Sequence, residues 1–264
     1  MPAKYTIDGG LAGKRRLDLL AKVCAPGTAA LLDRVGVRPG ARCLDVGCGG
    51  GHVTRELADR TGPEGRVTGI DLDRAVLDLA AADAGERTIE FRQGDATQLA
   101  ESGYDVVYAR FLLSHVGDPA QLVSRLVAAL VPGGVAIVED IHISHSICHP
   151  AAEAHDRWVE LYRETVRRRG GDGDLGPALP VLLHAAGLEA VGVSVSQAVG
   201  LDGDVKLIPP VTLERIERAV VAEGVASTED VAGTVAALYA HAAEPGTLMG
   251  MPAVVQAWGR RAAG

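Results

Sequence analysis

A glycine-rich turn follows an apolar run in the stretch LDVGCGGGHV, which covers residues 44–53. An apolar strand that leads into such a turn and then into a helix offers backbone N–H groups and the positive end of the helix dipole to a ligand. Glycine suits these positions because a Cβ atom would block the ligand's approach and because such turns use positive φ angles. The stretch therefore predicts a loop that binds a nucleotide-like molecule.

The residues of this loop narrow the choice of ligand. Gly47 and Gly49 fit the dinucleotide fingerprint G-x-G-x-x-G, but His52 stands at the third glycine position. Asp45 would place its carboxylate where a pyrophosphate goes, which disfavours a dinucleotide and favours a cation. No lysine follows the loop, so a P-loop is excluded. S-adenosylmethionine fits this loop, because it joins an adenosine half to a tail that carries a sulfonium and an ammonium group.

Histidines and acids in two later segments have side chains that exchange protons or bind substrates. His115 follows a predicted strand in RFLLSHVGDP and is the candidate general base, the alternative being a histidine that packs beside the ligand. The segment EDIHISHSICHPAAEAH is rich in His, Cys and acids. We expect Glu139, His142 and His145 to line the pocket of the second substrate. Imidazole, thiolate and carboxylate together could bind a transition metal, but the spacing matches no metal signature, so no metal is expected.

The elements that position these residues alternate between strand and helix. Strands are predicted in RPGARCLDV, GRVTGIDLD, IEFRQGDA, YDVVYAR and PGGVAIVEDI, with helices between them. A helix is also predicted over residues 14–36, interrupted at Pro26 and Gly27. This alternation indicates a parallel α/β sheet with right-handed crossovers and helices on both faces.

The pattern changes after residue 141. Helices are predicted over 156–171, 174–187, 212–224 and 228–243, with strands over 189–199 and 249–261. A single domain over residues 1–264 is the simplest account. We divide it into an N-terminal helical lid segment (1–36), a cofactor-binding core (37–141), an acceptor-binding cap region that includes the sixth strand (142–245) and the last strand (246–264).

The loop and four later motifs resemble those of the class I S-adenosylmethionine-dependent methyltransferases. LDVGCGGG is similar to the first motif of this family, and VTGIDLD, FRQGDATQL, YDVVYARFLLSHVGDP and LVPGGVAIVED resemble the motifs that follow it. The most similar branch is that of ubiquinone and menaquinone biosynthesis, which methylates small molecules. The resemblance implies a Rossmann-like fold with a seven-stranded, mostly parallel sheet, an antiparallel last strand and a helical cap insertion.

The same resemblance implies roles for individual residues. Asp71 would accept hydrogen bonds from both ribose hydroxyls, and Arg110 would line the methionine moiety. Asp95 would reach the adenine amino group, or would instead cap the segment that follows it. The segment YTIDGG is similar to one that folds over the cofactor, with Tyr5 near its methionine end. The expected cofactor-binding set is Tyr5, Asp45, Gly47, Gly49, Gly51, Asp71, Leu72, Asp95, Ala96 and Arg110.

Composition and charge limit the classes of partner. The formal net charge is −8, which disfavours nucleic acid because binding to phosphates needs basic residues. No run of about 18 apolar residues lacks charge, so no membrane span is expected, and the four cysteines suit a reducing cytoplasm. The run Arg167 to Arg169 is typical of a solvated helix face, with binding of an anionic substrate as the alternative. We expect a cytoplasmic monomer or homodimer.

The predicted function is transfer of a methyl group from S-adenosylmethionine to a small organic acceptor, in cofactor or secondary metabolism. S-adenosylhomocysteine would be the product. The sulfonium is already activated, so the protein would supply proximity, alignment and a water-poor site. The identity of the acceptor, and whether O, N or C is methylated, stay open. The alternatives are a cyclisation on the same fold and a cofactor-binding protein without catalysis.

Overall fold

The computed structural model describes residues 10–264, with side chains from residue 13 onward. The first half of the chain alternates between helices and strands, as expected. These elements are α1 (Gly10–Val35), β1 (Arg42–Val46), α2 (His52–Thr61), β2 (Arg66–Asp71), α3 (Arg74–Ala82), β3 (Ile89–Gln93), β4 (Tyr104–Arg110), α4 (Pro119–Ala129) and β5 (Leu130–His142).

The second half is mainly helical, with short strands between the helices. Its elements are β6 (Cys148–His149), α5 (Glu153–Arg168), α6 (Leu179–Ala185), β7 (Glu189–Ser196), β8 (Val199–Gly200), α7 (Ile208–Ala222), α8 (Thr228–Ala243), β9 (Leu248–Gly250) and β10 (Ala253–Arg260). The predicted helix over 174–187 is shorter than expected, because the Gly176–Ala178 segment forms a 3-10 turn before α6 begins.

A seven-stranded sheet forms the centre of the molecule, in the order β3-β2-β1-β4-β5-β10-β7. The neighbours from β3 to β5 pair in parallel, whereas β10 runs antiparallel to both β5 and β7. The expected α/β fold class, with a mostly parallel sheet and an antiparallel last strand, is confirmed.

Helices cover both faces of this sheet because successive strand residues point to opposite sides. On β4, Val107 packs with the buried leucines of α4 and α6, whereas Tyr108 packs with those of α1 and α2. Leu126 and Leu57 are fully buried examples from the two layers. Burial of a leucine side chain stabilises the fold by about 1.5–3 kcal/mol, so these two layers fix the sheet.

Helices α5, α7 and α8 form a cap with a core of its own. Trp158, Leu161, Leu213 and Leu238 are buried between these three helices, together with Ile143, which follows β5. The division of the chain into lid, core and cap by residue number stays a prediction. Over the described residues, the helices are too short or too polar to cross a membrane.

Two expected boundaries are wrong. The helix predicted to break at Pro26 and Gly27 is continuous in α1, where the backbone carbonyl of Gly27 accepts a hydrogen bond from Nε2 of Gln256 at 3.1 Å. The last strand predicted over 249–261 is two strands, β9 and β10. Pro252 lies between them, and β9 pairs with β6 and β8 in a small second sheet. Proline has no N–H group to continue a ladder, which explains the break.

Candidate functional site

A cavity of about 420 Å³ lies at the carboxyl ends of the parallel strands. Leu17 and Leu20 of α1 line one side of it, and Trp158 of α5 and Ile208 of α7 line another. Open α/β sheets bind ligands at this edge, and the volume is in the range of small-molecule sites. The cavity is therefore the candidate site.

The glycine loop, residues 47–51, forms one wall of the cavity. The N–H groups of Gly47 and Cys48 donate to the carbonyl oxygen of Ile70 at 2.7 and 3.0 Å, which fixes the loop against β2. Three of its glycines have positive φ angles, namely Gly47 (73°), Gly49 (49°) and Gly51 (70°). Side chains strain this backbone conformation, so the loop needs glycine at these positions.

Gly51 has a packing role at the start of α2. A Cβ atom there would lie 2.9 Å from Cζ of Phe91 and 3.1 Å from Cβ of Ala80. Gly51 is not among the residues that line the cavity, whereas Gly47 and Gly49 are. The structure therefore divides the three glycines between the cavity wall and the packing behind it.

Asp71 ends β2 and lines the cavity beside the loop. Its Oδ2 accepts the N–H of Gly49 at 2.8 Å, and its Oδ1 accepts the N–H of Asp73 at 3.0 Å. Burial raises the pKa of this carboxyl above its usual value, and the two N–H donors oppose that shift. The carboxylate is held in one orientation, and each oxygen keeps a lone pair for a further hydrogen-bond donor.

Asp45 is a buried carboxyl group in the same wall, with 2% of its surface exposed. Its Oδ2 accepts the hydroxyl of Thr54 at 2.6 Å. Burial raises the pKa of Asp45 to about 6, while the Thr54 hydrogen bond and the positive charge of Arg110 act in the opposite direction. A ligand cation next to this carboxyl would favour its ionised form.

Asp95, Ala96 and Leu72 line the part of the cavity beyond β2 and β3. Asp95 accepts hydrogen bonds from the N–H and the hydroxyl of Thr97 at 2.8 and 2.7 Å, so it caps the turn that follows β3. Leu72 is 53% exposed at the rim. An exposed apolar side chain beside polar groups suits a flat ring with an apolar face and a polar edge.

Glu139 is buried in a network that joins four elements. Its Oε1 accepts hydrogen bonds from the hydroxyls of Tyr108 and Thr28, the latter at 2.9 Å. Its Oε2 accepts Nε2 of Gln256 at 2.7 Å. Arg110, which lines the cavity, donates to Oγ1 of Thr28 at 3.0 Å. The structure thus places Glu139 behind the cavity wall, where it fixes α1 to β4, β5 and β10.

His115 lines the cavity from the turn after β4. The N–H of Ser114 in this turn donates to the buried carboxylate of Asp140 at 2.9 Å, which fixes the turn. Burial lowers the pKa of His115 to about 4, and the positive charge of Arg16 acts in the same direction. The imidazole is therefore neutral at neutral pH, the form that accepts a proton.

His142 and His145 stack on each other with their ring centroids 4.0 Å apart. Nε2 of His142 lies 3.7 Å from Oδ1 of Asp174. Neither histidine is among the residues that line the cavity. Within the part of the chain that the structure describes, no group of three or more His, Cys, Asp or Glu side chains is arranged to hold a metal ion. Tyr5 lies outside the described residues.

The side of the cavity next to the cap is apolar, and we call it the apolar arm. Trp158 is 1% exposed, and its Nε1 has no hydrogen-bond partner among the side and main chains described. Arg16 and Thr212 also line the cavity, and Nε of Arg16 donates to Oγ1 of Thr212 at 3.3 Å. The arm is defined by Ile141, Ile143, Trp158, Tyr162, Ile208 and Met251.

Three residues of the site have no local sequence motif. Thr28 and Gln256 meet Glu139 from positions 111 and 117 residues away in the chain. Arg16 precedes Leu20 and Cys24 at helical spacing, so a cation on the apolar face of a helix is the signal that points to it. Sequence spacing alone does not show what faces that cation.

Part of the chain matches a known family of proteins. Residues 44–138 match the family model described as a methyltransferase domain. Over 159 residues the chain is 34% identical to the trans-aconitate 2-methyltransferase of Deinococcus radiodurans, with 59% of each chain covered. The chain spans between 41% and 59% of the length of three curated relatives that it matches.

Solved structures share the fold. The phosphoethanolamine N-methyltransferase 2 of Haemonchus contortus, in complex with S-adenosyl-L-methionine, matches with a TM-score of 0.56 at 19% identity, over 90% of this chain and 52% of that one. The (4+2) cyclase SpnF matches with a TM-score of 0.52 at 22% identity, over 90% of this chain and 81% of that one. Residues 44–138 therefore match a methyltransferase domain, and the chain shares the fold of these two solved structures.

Proposed function

We propose that this protein transfers the methyl group of S-adenosylmethionine to a small organic acceptor. The observation that carries the proposal is the joint placement of the glycine loop, Asp71 and Asp95 around one cavity at the carboxyl ends of the strands. The family match over residues 44–138 supports the same cofactor.

The residues of the cavity fit an adenosyl group with a cationic tail. The lone pairs that Asp71 keeps suit the two hydroxyls of a ribose, and Leu72 with Asp95 and Ala96 suits an adenine. Asp45 is a buried carboxyl group that lines the cavity beside the glycine loop, and it could pair with the ammonium group of the cofactor's tail. When bound, the cofactor supplies a methyl group on a sulfonium, which is already a good leaving group.

The chain contributes alignment and exclusion of water. Helix α1 lies over the cavity and is fixed to the sheet by the Thr28 and Glu139 hydrogen bond. The acceptor would occupy the apolar arm, with His115 at its side as the candidate base. Because the pKa of His115 is about 4, it is a weak base and removes protons efficiently only from an acidic acceptor.

Turnover tests this proposal and separates it from a cyclisation. We expect S-adenosylhomocysteine to accumulate when the protein is incubated with S-adenosylmethionine and a panel of small phenols, amines and carboxylic acids, as followed by mass spectrometry. Consumption of the cofactor must depend on the acceptor. Binding of S-adenosylmethionine without S-adenosylhomocysteine formation for any acceptor would favour a cyclase, or a binding protein without catalysis.

A further inference from the structure

Arg16 is a buried cation in the wall of the cavity. Only 8% of its surface is exposed, although it lies in α1, the helix that covers the site. Its neighbour Arg15 in the same helix is exposed. A buried guanidinium is unfavourable unless hydrogen bonds or an opposite charge compensate for the lost water. The position of Arg16 therefore needs a physical reason.

Helix geometry places Arg16 at the apolar arm. Residues four apart share one face of a helix, and Leu20 packs in one cluster with Ile208 and Met251 of the arm. Nε of Arg16 donates to Thr212 of α7, on the same side. Leu17, by contrast, points to the glycine loop. Its Cδ1 lies 3.6 Å from the position that a Cβ atom would take if Gly49 had a side chain. Arg16 thus faces the cap side of the cavity.

No acid among the described side chains neutralises Arg16. Among the side chains described from residue 13 onward, no carboxylate lies within ion-pair distance of it, and Thr212 is its hydrogen-bond partner. The acids that line the cavity belong to the strand ends and the loop side, at Asp45, Asp71, Asp73 and Asp95. The guanidinium has five N–H donors, so most of its hydrogen-bonding capacity is left for a ligand.

A second donor points to the same ligand. Nε1 of the buried Trp158 has no hydrogen-bond partner in the described structure, and Trp158 lines the arm. Ile141 and Ile143 lie with it in the arm, and the ring of His155 packs against the indole with centroids 5.4 Å apart. A buried N–H and a buried guanidinium at the edge of an apolar chamber match an apolar molecule that carries an oxyanion.

We propose that the acceptor is an apolar carboxylate, whose anionic group binds Arg16 and whose body fills the apolar arm. This inference rests on the proposed function, because it assigns the cofactor to the other side of the cavity. Trp158 donates a further hydrogen bond to the same molecule. Arg167 and Arg168, two exposed arginines of α5, instead pair with Glu164 at 2.8 and 2.7 Å.

Matched pairs of small molecules test the proposal without knowledge of the natural acceptor. The pairs are benzoate and benzamide, 1-naphthoate and 1-naphthamide, and octanoate and octanamide. Each is titrated calorimetrically into wild-type protein and into Arg16→Met, Arg16→Lys and Arg15→Met, with and without saturating S-adenosylhomocysteine. Wild type and Arg15→Met should prefer the carboxylate of at least one pair about tenfold or more, as for a charge-assisted hydrogen bond.

Arg16→Met should lose this preference but bind the amide as wild type does, and Arg16→Lys should keep part of the preference because it retains the charge. The proposal is overturned if no pair shows the preference in wild type, or if Arg16→Met keeps it. It is also overturned if Arg16→Met loses affinity for S-adenosylhomocysteine instead, since Arg16 then serves the cofactor. A wild-type protein that prefers carboxylates but does not bind S-adenosylhomocysteine would contradict the proposed function alone.

Discussion

Asp71 is the residue whose geometry most directly suits a ribose. Both carboxylate oxygens are oriented by backbone N–H groups, so little rearrangement is needed when hydroxyl groups bind. Burial raises the pKa of this carboxyl, and hydroxyl donors from a ligand would act in the opposite direction, as the two N–H groups do.

We expect Asp71→Ala to weaken the binding of S-adenosylhomocysteine at least tenfold, because it removes charge-assisted contacts worth about 1.5–3 kcal/mol. Isothermal titration calorimetry measures the affinity, and circular dichroism checks that the variant is folded. Asp78→Ala is the matched control, since Asp78 is exposed on α3 and pairs with Arg74. Equal affinities of the two variants would mean that β2 does not contact the ribose.

At the scale of elements, α1 depends on close contact with the edge of the sheet. A Cβ atom on Gly27 would lie 2.1 Å from Oγ and 2.8 Å from Cβ of Ser196 in β7. The helix therefore approaches the strand so closely that only glycine, which has no Cβ atom, fits at position 27. The adjacent hydrogen bond from Gln256 to the carbonyl of Gly27 depends on the same approach.

Gly27→Ala should lower the free energy of unfolding by about 1–3 kcal/mol, because α1 has to move off the sheet. Urea denaturation measures the change. Gly233→Ala in α8 is the control, and it should stabilise by about 0.5–1 kcal/mol, since nothing lies within 4 Å of the new Cβ atom. Removal of the clashing atoms by Ser196→Gly should rescue Gly27→Ala. A Gly27→Ala variant as stable as Gly233→Ala would contradict this packing.

The sequence predicts those elements and cofactor residues whose positions depend on neighbouring residues in the chain. The glycine loop and Asp71 lie within one strand-helix-strand unit, and Gly49 and Asp71 are 22 residues apart. The contact between Arg16 and Thr212 joins residues 196 apart, and it depends on how the cap meets α1. The surroundings of Glu139 also depend on residues far away in the chain. Its position at the end of a strand suggested a pocket residue, but the hydroxyl of Thr28 and the amide of Gln256 enclose it.

At the scale of the whole molecule, buried titratable groups make stability depend on pH. His115 has a folded pKa of about 4 against 6.5 without burial, so the unfolded chain binds the proton first as the pH falls. Its contribution to stability is therefore complete above pH 6.5 and is lost between 6.5 and 4. Asp45 and Asp140, with pKa values raised by burial to about 6, act in the opposite direction over an overlapping range.

Comparison of His115→Gln with wild type isolates the histidine, because the acids are the same in both proteins. Between pH 6.5 and 4.5, wild type should lose about 2 kcal/mol more stability than the variant, because the unfolded histidine takes up its proton over this range and the folded one mostly does not. Urea unfolding at both pH values, without cofactor, measures the difference. Parallel losses in the two proteins would show that His115 is not buried as a neutral imidazole.

Every role assigned to the site requires that the cavity binds an adenosyl cofactor with a cationic tail and not a dinucleotide. The most direct test is calorimetric titration of the purified wild-type protein with S-adenosylhomocysteine, with NAD as the control. We predict one-site binding of S-adenosylhomocysteine in the micromolar range and no heat of binding for NAD. Binding of NAD, or the absence of binding by S-adenosylhomocysteine, would contradict the assignment of the glycine loop and of every role derived from it.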